Sequence, residues 1–568
     1  MAASREQLTD RRLLRLHPDD NCLVAVRPLP AGEAVLVGGT AVELEVALPV
    51  GHKIAAWALR PGEPVRKCGA VIGRTSVDVG VGQYLHLHNV RSNYLPAHLV
   101  GGASVDGPTG PAADVPTGPA ADVPTGPAAD VTDAPNAATP KAAPEAPRDA
   151  PDRGDHRLAG PRVTATGLVP ELTGYARRDG RKGIRNHLLV VYLVECAHHV
   201  AREIADGPYP DGDRSVQVVG FPGCYPNEYA ERVLTALCTH PNVGGCLLVS
   251  LGCESFDRRT LSEAVSLSGR WVDSLVIQEE GGTLSTISRG RALVAQGLAQ
   301  IGGVQRAPLE VADLVVGTIC GGSDSTSTLT ANPAVGRAFD RLVAAGARCI
   351  FEETGELIGC EDHLRSRAAT SELGADLAGR VVKAAHYYDA LGHASIAPGN
   401  LVGGLTTIEE KSIGAYAKSG SSTIVGVIEP GELPQGAGLY LLDVVPDGPP
   451  RFGYPNINDT TEVVELIACG AHVILFTTGR GSVVGSVVSP VIKVCANPET
   501  YRRMSDDMDV DAGRILMGEA SLDDVGEEIF QLVAATAAGG PTRSEALGHQ
   551  EFQLGYKVFR SLEPSCLA

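Results

Sequence analysis

The octapeptide Pro-Thr-Gly-Pro-Ala-Ala-Asp-Val runs three times in tandem from Pro108 to Val131. Proline blocks regular hydrogen bonding, alanine and glycine offer little to bury, and the recurring aspartate keeps the stretch solvated. It therefore reads as an extended, disordered linker. A solenoid is disfavoured, because eight such residues carry no apolar face to stack. The composition changes over residues 101–165, which separates a first folded unit, 1–100, from a second, 166–568, with a subdivision near 305.

Outside that segment there is ample material for cores, since 43% of the 568 residues are hydrophobic and 20% are charged. The 48 basic residues are outnumbered by 67 acidic ones, a net charge of −19, which disfavours binding to nucleic acid or to an anionic membrane. An anionic substrate must then meet a locally basic site. No apolar run approaches the roughly 20 residues of a membrane span. The first thirty residues lack a signal-peptide pattern, and the 13 cysteines are scattered, so a cytoplasmic protein with reduced thiols is expected.

Before the linker, short runs such as Cys22–Val26, Ala34–Val37, Val42–Val46 and Tyr84–His88 alternate with Gly and Pro turns, the pattern of a small all-β domain. After it, apolar runs near Leu188–Val194, Val216–Val219, Cys246–Leu251, Leu314–Gly317 and Val473–Thr477 alternate with helical patterns, including Asn227–Cys238 and Pro333–Ala344. Such alternation predicts an α/β region with largely parallel sheets, whose sites gather at the carboxyl ends of strands.

Four cysteines stand at or near those ends: Cys196, Cys224, Cys253 and Cys320. Their thiolates are candidates to share an iron centre, although none forms a CxxC pair and a small buried cysteine is the plainer reading. The loop Gly317–Asp324 has backbone N–H groups able to hold a carboxylate, or is a tight structural turn. In Pro398–Lys411 a Gly-rich loop leads to Thr407, Glu409, Glu410 and Lys411 at a helix start. Lys411 is a base candidate or an anion partner, and the same residues read equally as a solvated helix face. Arg480 lies between two glycines after a strand, where its planar fork suits a carboxylate. Lys493 reads as a strand-end charge. In the β domain, His17, His52, His86 and His88 sit in loops with carboxylates, with His86 and His88 on one side of a strand.

Together these residues resemble the altronate/galactarate dehydratase family, bacterial hydro-lyases of sugar acids. The N-terminal part is similar to the family's SAF, or β-clip, domain through Leu16–Asn21, Pro49–Lys53, Gly69–Gly73 and His86–Asn89. The rest resembles the catalytic region through Gly174–Gly180, His240–Gly245, Leu251–Glu254, Cys320–Asp324, Thr330–Pro333, Gly399–Lys411 and Phe476–Ser482. One departure stands out: Gly220 occupies a position where family members usually carry histidine.

The resemblance implies dehydration of a polyhydroxy acid to a 2-keto-3-deoxy acid, assisted by a divalent metal, Fe2+ or Mn2+, with an iron–sulfur cluster as the alternative. The expected ligands are a subset of Cys224, Cys253, Cys320, His17 and His86. Arg480 is expected to grip the substrate carboxylate and Lys411 to act as base, with Ser323, Asp324, Asn400, Thr407 and Gly479 lining the substrate. A homo-oligomer is expected. Two other readings fit the same residues: a carbon–sulfur lyase acting on a sulfolactate-like acid, and an inactive sugar-acid-binding protein.

Overall fold

The computed structural model describes residues 9–92, 94, 171–209, 215–391, 395–447 and 458–557. The octapeptide repeats, and with them the expected linker, lie outside the described residues.

The N-terminal part is all β, as its alternation predicts. Strands Leu13–Leu14, Cys22–Ala25, Lys53–Ala55 and Tyr84–Leu85 form an antiparallel sheet in that order. A hairpin, Ala34–Val37 with Thr40–Glu43, and a three-stranded sheet, Pro64–Lys67, Ala70–Thr75 and Val90–Arg91, complete it. Two of its turns place consecutive residues at positive φ, Gly38 (56°) with Gly39 (89°) and Cys68 (55°) with Gly69 (77°), the turn whose twist matches the flanking strands. Cys68 is held there by Asp20, whose buried carboxylate accepts from the N–H groups of Cys68 (2.9 Å), Gly69 (2.8 Å) and His17 (3.0 Å). The acidic motif after His17 is thus turn scaffolding. The expected strand placement of His86 and His88 does not hold, because the strand ends at Leu85.

The second part holds two parallel sheets. In the smaller, β1 (His187–Tyr192), β2 (Val216–Gly220), β3 (Val243–Ser250) and β4 (Trp271–Val276) lie in the order β2-β1-β3-β4. In the larger, β5 (Val315–Cys320), β6 (Arg348–Phe351), β7 (Ile424–Ile428), β8 (Gly438–Leu442), β9 (Val473–Thr478), β10 (Val491–Cys495) and β11 (Val510–Asp511) run β7-β8-β6-β5-β9-β10-β11. All paired strands in both are parallel, and the central ones, such as β3, β5, β9 and β10, are buried on both faces, as in sheets covered by helices. Leu189, Val219 and Leu248 of the smaller sheet share one core with Ile319, Ile474 and Phe476 of the larger. Lys493 corrects the strand-end reading: it lies inside β10, fully buried, its ammonium donating to Ser544 Oγ at 2.8 Å.

The β domain docks on the helix α1 (Ile408–Ala417) through charge. Lys53 and Lys67, both buried, donate to the two oxygens of Glu410 at 2.8 and 2.9 Å. Lys53 also reaches Gly404 O at 3.1 Å and Thr406 Oγ1 at 2.5 Å.

Candidate active site

The chain leaves β5 for β6 on one side and reaches β9 on the other, so the strand order reverses at β5. Ligands of parallel sheets bind outside the carboxyl ends at such a point. Cys320 ends β5, and Glu352-Glu353-Thr354-Gly355-Glu356 follows β6. Glu353 has φ +79°, a left-handed conformation that a residue with a side chain holds only when its surroundings over-determine it. Here they do. Its carboxylate accepts from Cys320 N–H at 3.1 Å and from Cys320 Sγ at 3.3 Å, and it faces the buried Lys418 ammonium. Cys320 Sγ also lies 3.2 Å from Glu356 Oε2.

Helix α1 brings Lys411 to the same place. Its ammonium lies 2.5 Å from Glu356 Oε1 and donates to Ser395 O at 2.8 Å. From the other side comes α2 (Asp459–Ala468), capped by Asn458, whose side chain accepts from Thr461 N–H. Its first turn presents Asp459 and Glu462. Together Glu353, Glu356, Lys411, Asp459, Glu462 and Tyr388 line a cavity of about 460 Å³, large enough for a small polyhydroxy acid.

Burial in this acid-rich corner sets the protonation states. Burial, and next the Glu356 charge, lift Asp459 to about 6. Burial lifts Glu462 to about 8, with Lys557 opposing and Asp459 adding. Glu352 is also pushed upward by burial and then by Glu462, and both its oxygens lack a hydrogen-bond partner among the described residues. Burial opposes the charge on Lys411, but the Glu356 carboxylate outweighs it and the pKa is raised. Lys411 is therefore a resident cation rather than a free base. On the same cavity wall, burial lifts Asp459 to about 6, into the range where a carboxyl group can take up and return a proton.

Other expected residues fall out differently. Arg480 is exposed and donates to Gly399 O at 3.1 Å, beside the cavity-lining Pro398, so it stands on the rim. Asp324, buried, accepts from Thr326 N–H (2.9 Å) and Asn497 Nδ2 (3.1 Å), and a side chain on Gly479 would collide with it. Asn400 donates to Ser323 O at 2.8 Å and accepts from Ala397 N–H at 2.7 Å. Thr407 caps α1 and donates to Ile72 O of the β domain. Ser323, Asp324, Asn400, Thr407 and Gly479 thus fix the loops around the cavity and do not line it.

The expected ligand set is not assembled. Among the described residues, the donor groups whose atoms lie within 4.8 Å of one another are Cys320 with Glu353 and Glu356, and Glu352 with Glu353 and Glu462. Neither contains Cys224, Cys253, His17 or His86. His86 Nε2 lies 2.9 Å from Leu401 O, a domain contact, and the half-exposed His17 accepts from Asp19 N–H. In the first group Lys418 and Lys411 already face Glu353 and Glu356, and burial, then Glu356, pushes the Cys320 thiol up to about 11. That corner suits protons and ammonium groups better than a thiolate-bound ion.

Sequence reasoning overlooked Glu353, Glu356, Asp459 and Glu462. Two signals were available: Glu-Glu-x-x-Glu directly after an apolar run, and Asn458-Asp459-x-x-Glu462 at a helix start.

Three stretches match known families: residues 11–93 the altronate/galactarate dehydratase SAF domain, 174–302 the second domain of D-galactarate dehydratase/altronate hydrolase, and 311–559 the C-terminal domain of D-galactarate/altronate dehydratase. The chain is 33% identical to the (2R)-sulfolactate sulfo-lyase subunit beta of Chromohalobacter salexigens over 67% of its own length and 96% of that protein. It is 28% identical to the altronate dehydratase of Bacillus subtilis over 91% of its length and 92% of that enzyme. To the galactarate dehydratase (L-threo-forming) of Escherichia coli it is 33% identical over 54% of its length and 59% of that enzyme. Among the described residues no helix is long and apolar enough to cross a membrane.

Proposed function

Because the chain belongs to the altronate/galactarate dehydratase family of hydro-lyases, we propose that it removes water from a sugar acid of the altronate or galactarate type, leaving the 2-keto-3-deoxy acid. The proton beside the carboxylate is weakly acidic and hydroxide is a poor leaving group. Both demand charge stabilisation and proton transfer in one enclosed place.

The observation that carries the reading is the Lys411–Glu356 pair, 2.5 Å apart, facing Asp459 and Glu462 in one cavity. Lys411 holds the substrate carboxylate and stabilises the negative charge that grows on it as the C2 proton leaves. Asp459, ionised above about pH 6, takes that proton. Glu462, protonated up to about pH 8, gives a proton to the C3 hydroxyl as its bond to carbon breaks. Water departs, and the enol left behind becomes the 2-keto acid by moving a proton from the C2 hydroxyl to C3.

A second reading rests on the sulfo-lyase subunit, 96% of which the chain covers, and on Gly220 in place of the family histidine. Elimination beside a carboxylate needs the same base and cation whether water or sulfite leaves. Assay of 2-keto acid and sulfite over a panel of aldonates, aldarates and sulfolactate decides: keto acid from a sugar acid without sulfite supports dehydration, and sulfite release from sulfolactate alone supports the second reading. Binding without turnover of any panel member defeats both.

A further inference from the structure

Cysteine is among the most buried residue types, and this chain follows the rule with one local exception. Of the described cysteines only Cys196, Cys224 and Cys253 are exposed. These three are not scattered. Cys196 follows β1, Cys224 follows β2 and Cys253 follows β3, the three adjacent parallel strands β2-β1-β3. The strands end level: Tyr192 of β1 pairs with Gly220 of β2 and with Val249 of β3. Two strand spacings span about 10 Å, so the three loops rise from one short rim.

The loops are tied to one another above that rim. Ser255 N–H donates to Cys224 O at 2.9 Å, joining the β2 and β3 loops. The β3 loop turns at Gly252, whose φ of +122° suits only glycine, and Glu254 accepts from Gly252 N–H (2.9 Å) and Cys253 N–H (3.1 Å). The N–H groups of Gly252, Cys253 and Ser255 are satisfied, while the three sulfurs make no hydrogen bond among the described residues. By contrast the buried Cys22, Cys246, Cys320, Cys469 and Cys495 all donate to an oxygen.

Three unengaged thiols at one sheet rim are a soft-metal donor set. They do not converge tightly enough for one ion, since no donor group within 4.8 Å contains them. A four-iron, four-sulfide cluster carries each thiolate on its own iron and so tolerates that spread. We propose that Cys196, Cys224 and Cys253 bind such a cluster, in place of the set including Cys320 that the family resemblance implies. Three protein thiolates leave one iron without a protein ligand, and cluster binding does not rest on the lyase reading above.

The full chain, purified without oxygen and supplied with ferrous iron and sulfide, is the material for the test. Visible absorption, iron and acid-labile sulfide are measured in the absence of substrate. About four irons and four sulfides per chain are expected, with each of Cys196→Ser, Cys224→Ser and Cys253→Ser losing most of both. Cys68→Ser and Cys320→Ser should keep them. Unchanged melting of the three variants separates ligand loss from misfolding. Iron without sulfide, absent visible absorption, full loading in all three variants, or loss in Cys320→Ser would each overturn the proposal. A loaded cluster with no turnover of any acid would defeat the lyase reading alone.

Discussion

Lys53 of the β domain donates to Glu410 of the catalytic region at 2.8 Å, and both side chains are buried, at 0% and 1% exposure. Lys67 completes the arrangement at 2.9 Å. The pair joins residues far apart in sequence and sits one residue from Lys411, so domain docking and the cavity cation share a helix turn. Replacing Glu410 by Gln leaves two buried ammonium groups facing one neutral amide. Removing one partner of a buried ion pair costs about 3–5 kcal/mol. Denaturant unfolding of Glu410→Gln should show a loss of that size, and limited proteolysis should release the β domain. Unchanged stability would mean that the docking is carried by other contacts.

The same carboxylate fixes the acid limit. Burial raises the pKa of Glu410, but Lys53 and Lys67 outweigh it and hold the group down to about 2. A carboxyl whose folded value is depressed contributes stability above its unfolded value, near 4.5, and loses it as pH falls toward 2. Stability measured by denaturant between pH 5 and 2 should therefore drop steeply in the wild type and more shallowly in Glu410→Gln. Parallel slopes would detach Glu410 from the effect.

Lys411 is the next group to remove. Truncation to Met keeps the apolar stem and deletes the ammonium that lies 2.5 Å from Glu356. Loss of one preorganised charge-stabilising donor costs about 10²–10³ in turnover. Lys411→Met should show that fall in kcat on the best panel substrate while its circular dichroism stays native. A fall in affinity alone, with kcat intact, would make Lys411 a binding group only.

Much of the fold was legible. Apolar runs between helical patterns marked β1, β2, β3, β5 and β9, and short runs alternating with Gly and Pro turns marked the β domain. Strands β6 and β8 were not read, because runs of four or five residues carry no decisive period. Lys493 misled because its ammonium is satisfied by Ser544, a residue far along the chain. The site was harder for the same reason. Lys411 and Arg480 announced themselves beside glycines, whereas Glu353, Glu356, Asp459 and Glu462 look like the other acids of a chain with 67. What makes them chemical is burial against one another, a property of the packed sheet ends. Conversely Asp324, Asn400 and Thr407 look like substrate contacts but spend their hydrogen bonds on backbone and side chains of neighbouring segments.

Arg480 tests how much the rim matters. It is exposed and bound to Gly399 O at 3.1 Å, so water screens any carboxylate it meets. Exposed ion pairs contribute about 0.2–1 kcal/mol. Arg480→Ala should raise KM about two- to fivefold with little change in kcat. A loss near a thousandfold would show that the rim closes over bound substrate and buries the guanidinium.

Asp459 makes the sharpest prediction about pH. Its carboxyl titrates near 6 because burial and the Glu356 charge disfavour ionisation. As the base it works only when ionised, so kcat/KM should rise with pH through about 6. Glu462, lifted to about 8, is needed protonated, so the rate should fall as pH passes that value. The result is a bell whose two limbs belong to the interacting pair. Stability moves the other way: both groups bind protons more tightly folded than unfolded, so their contribution is full in acid and is lost as pH rises through the folded values. Asp459→Asn should abolish most turnover across the range while increasing stability above pH 6. A variant that keeps the rising limb near 6 would assign the base to another residue, and one that loses stability at high pH would show that the ionised carboxylate, not the acid, is what the fold accommodates.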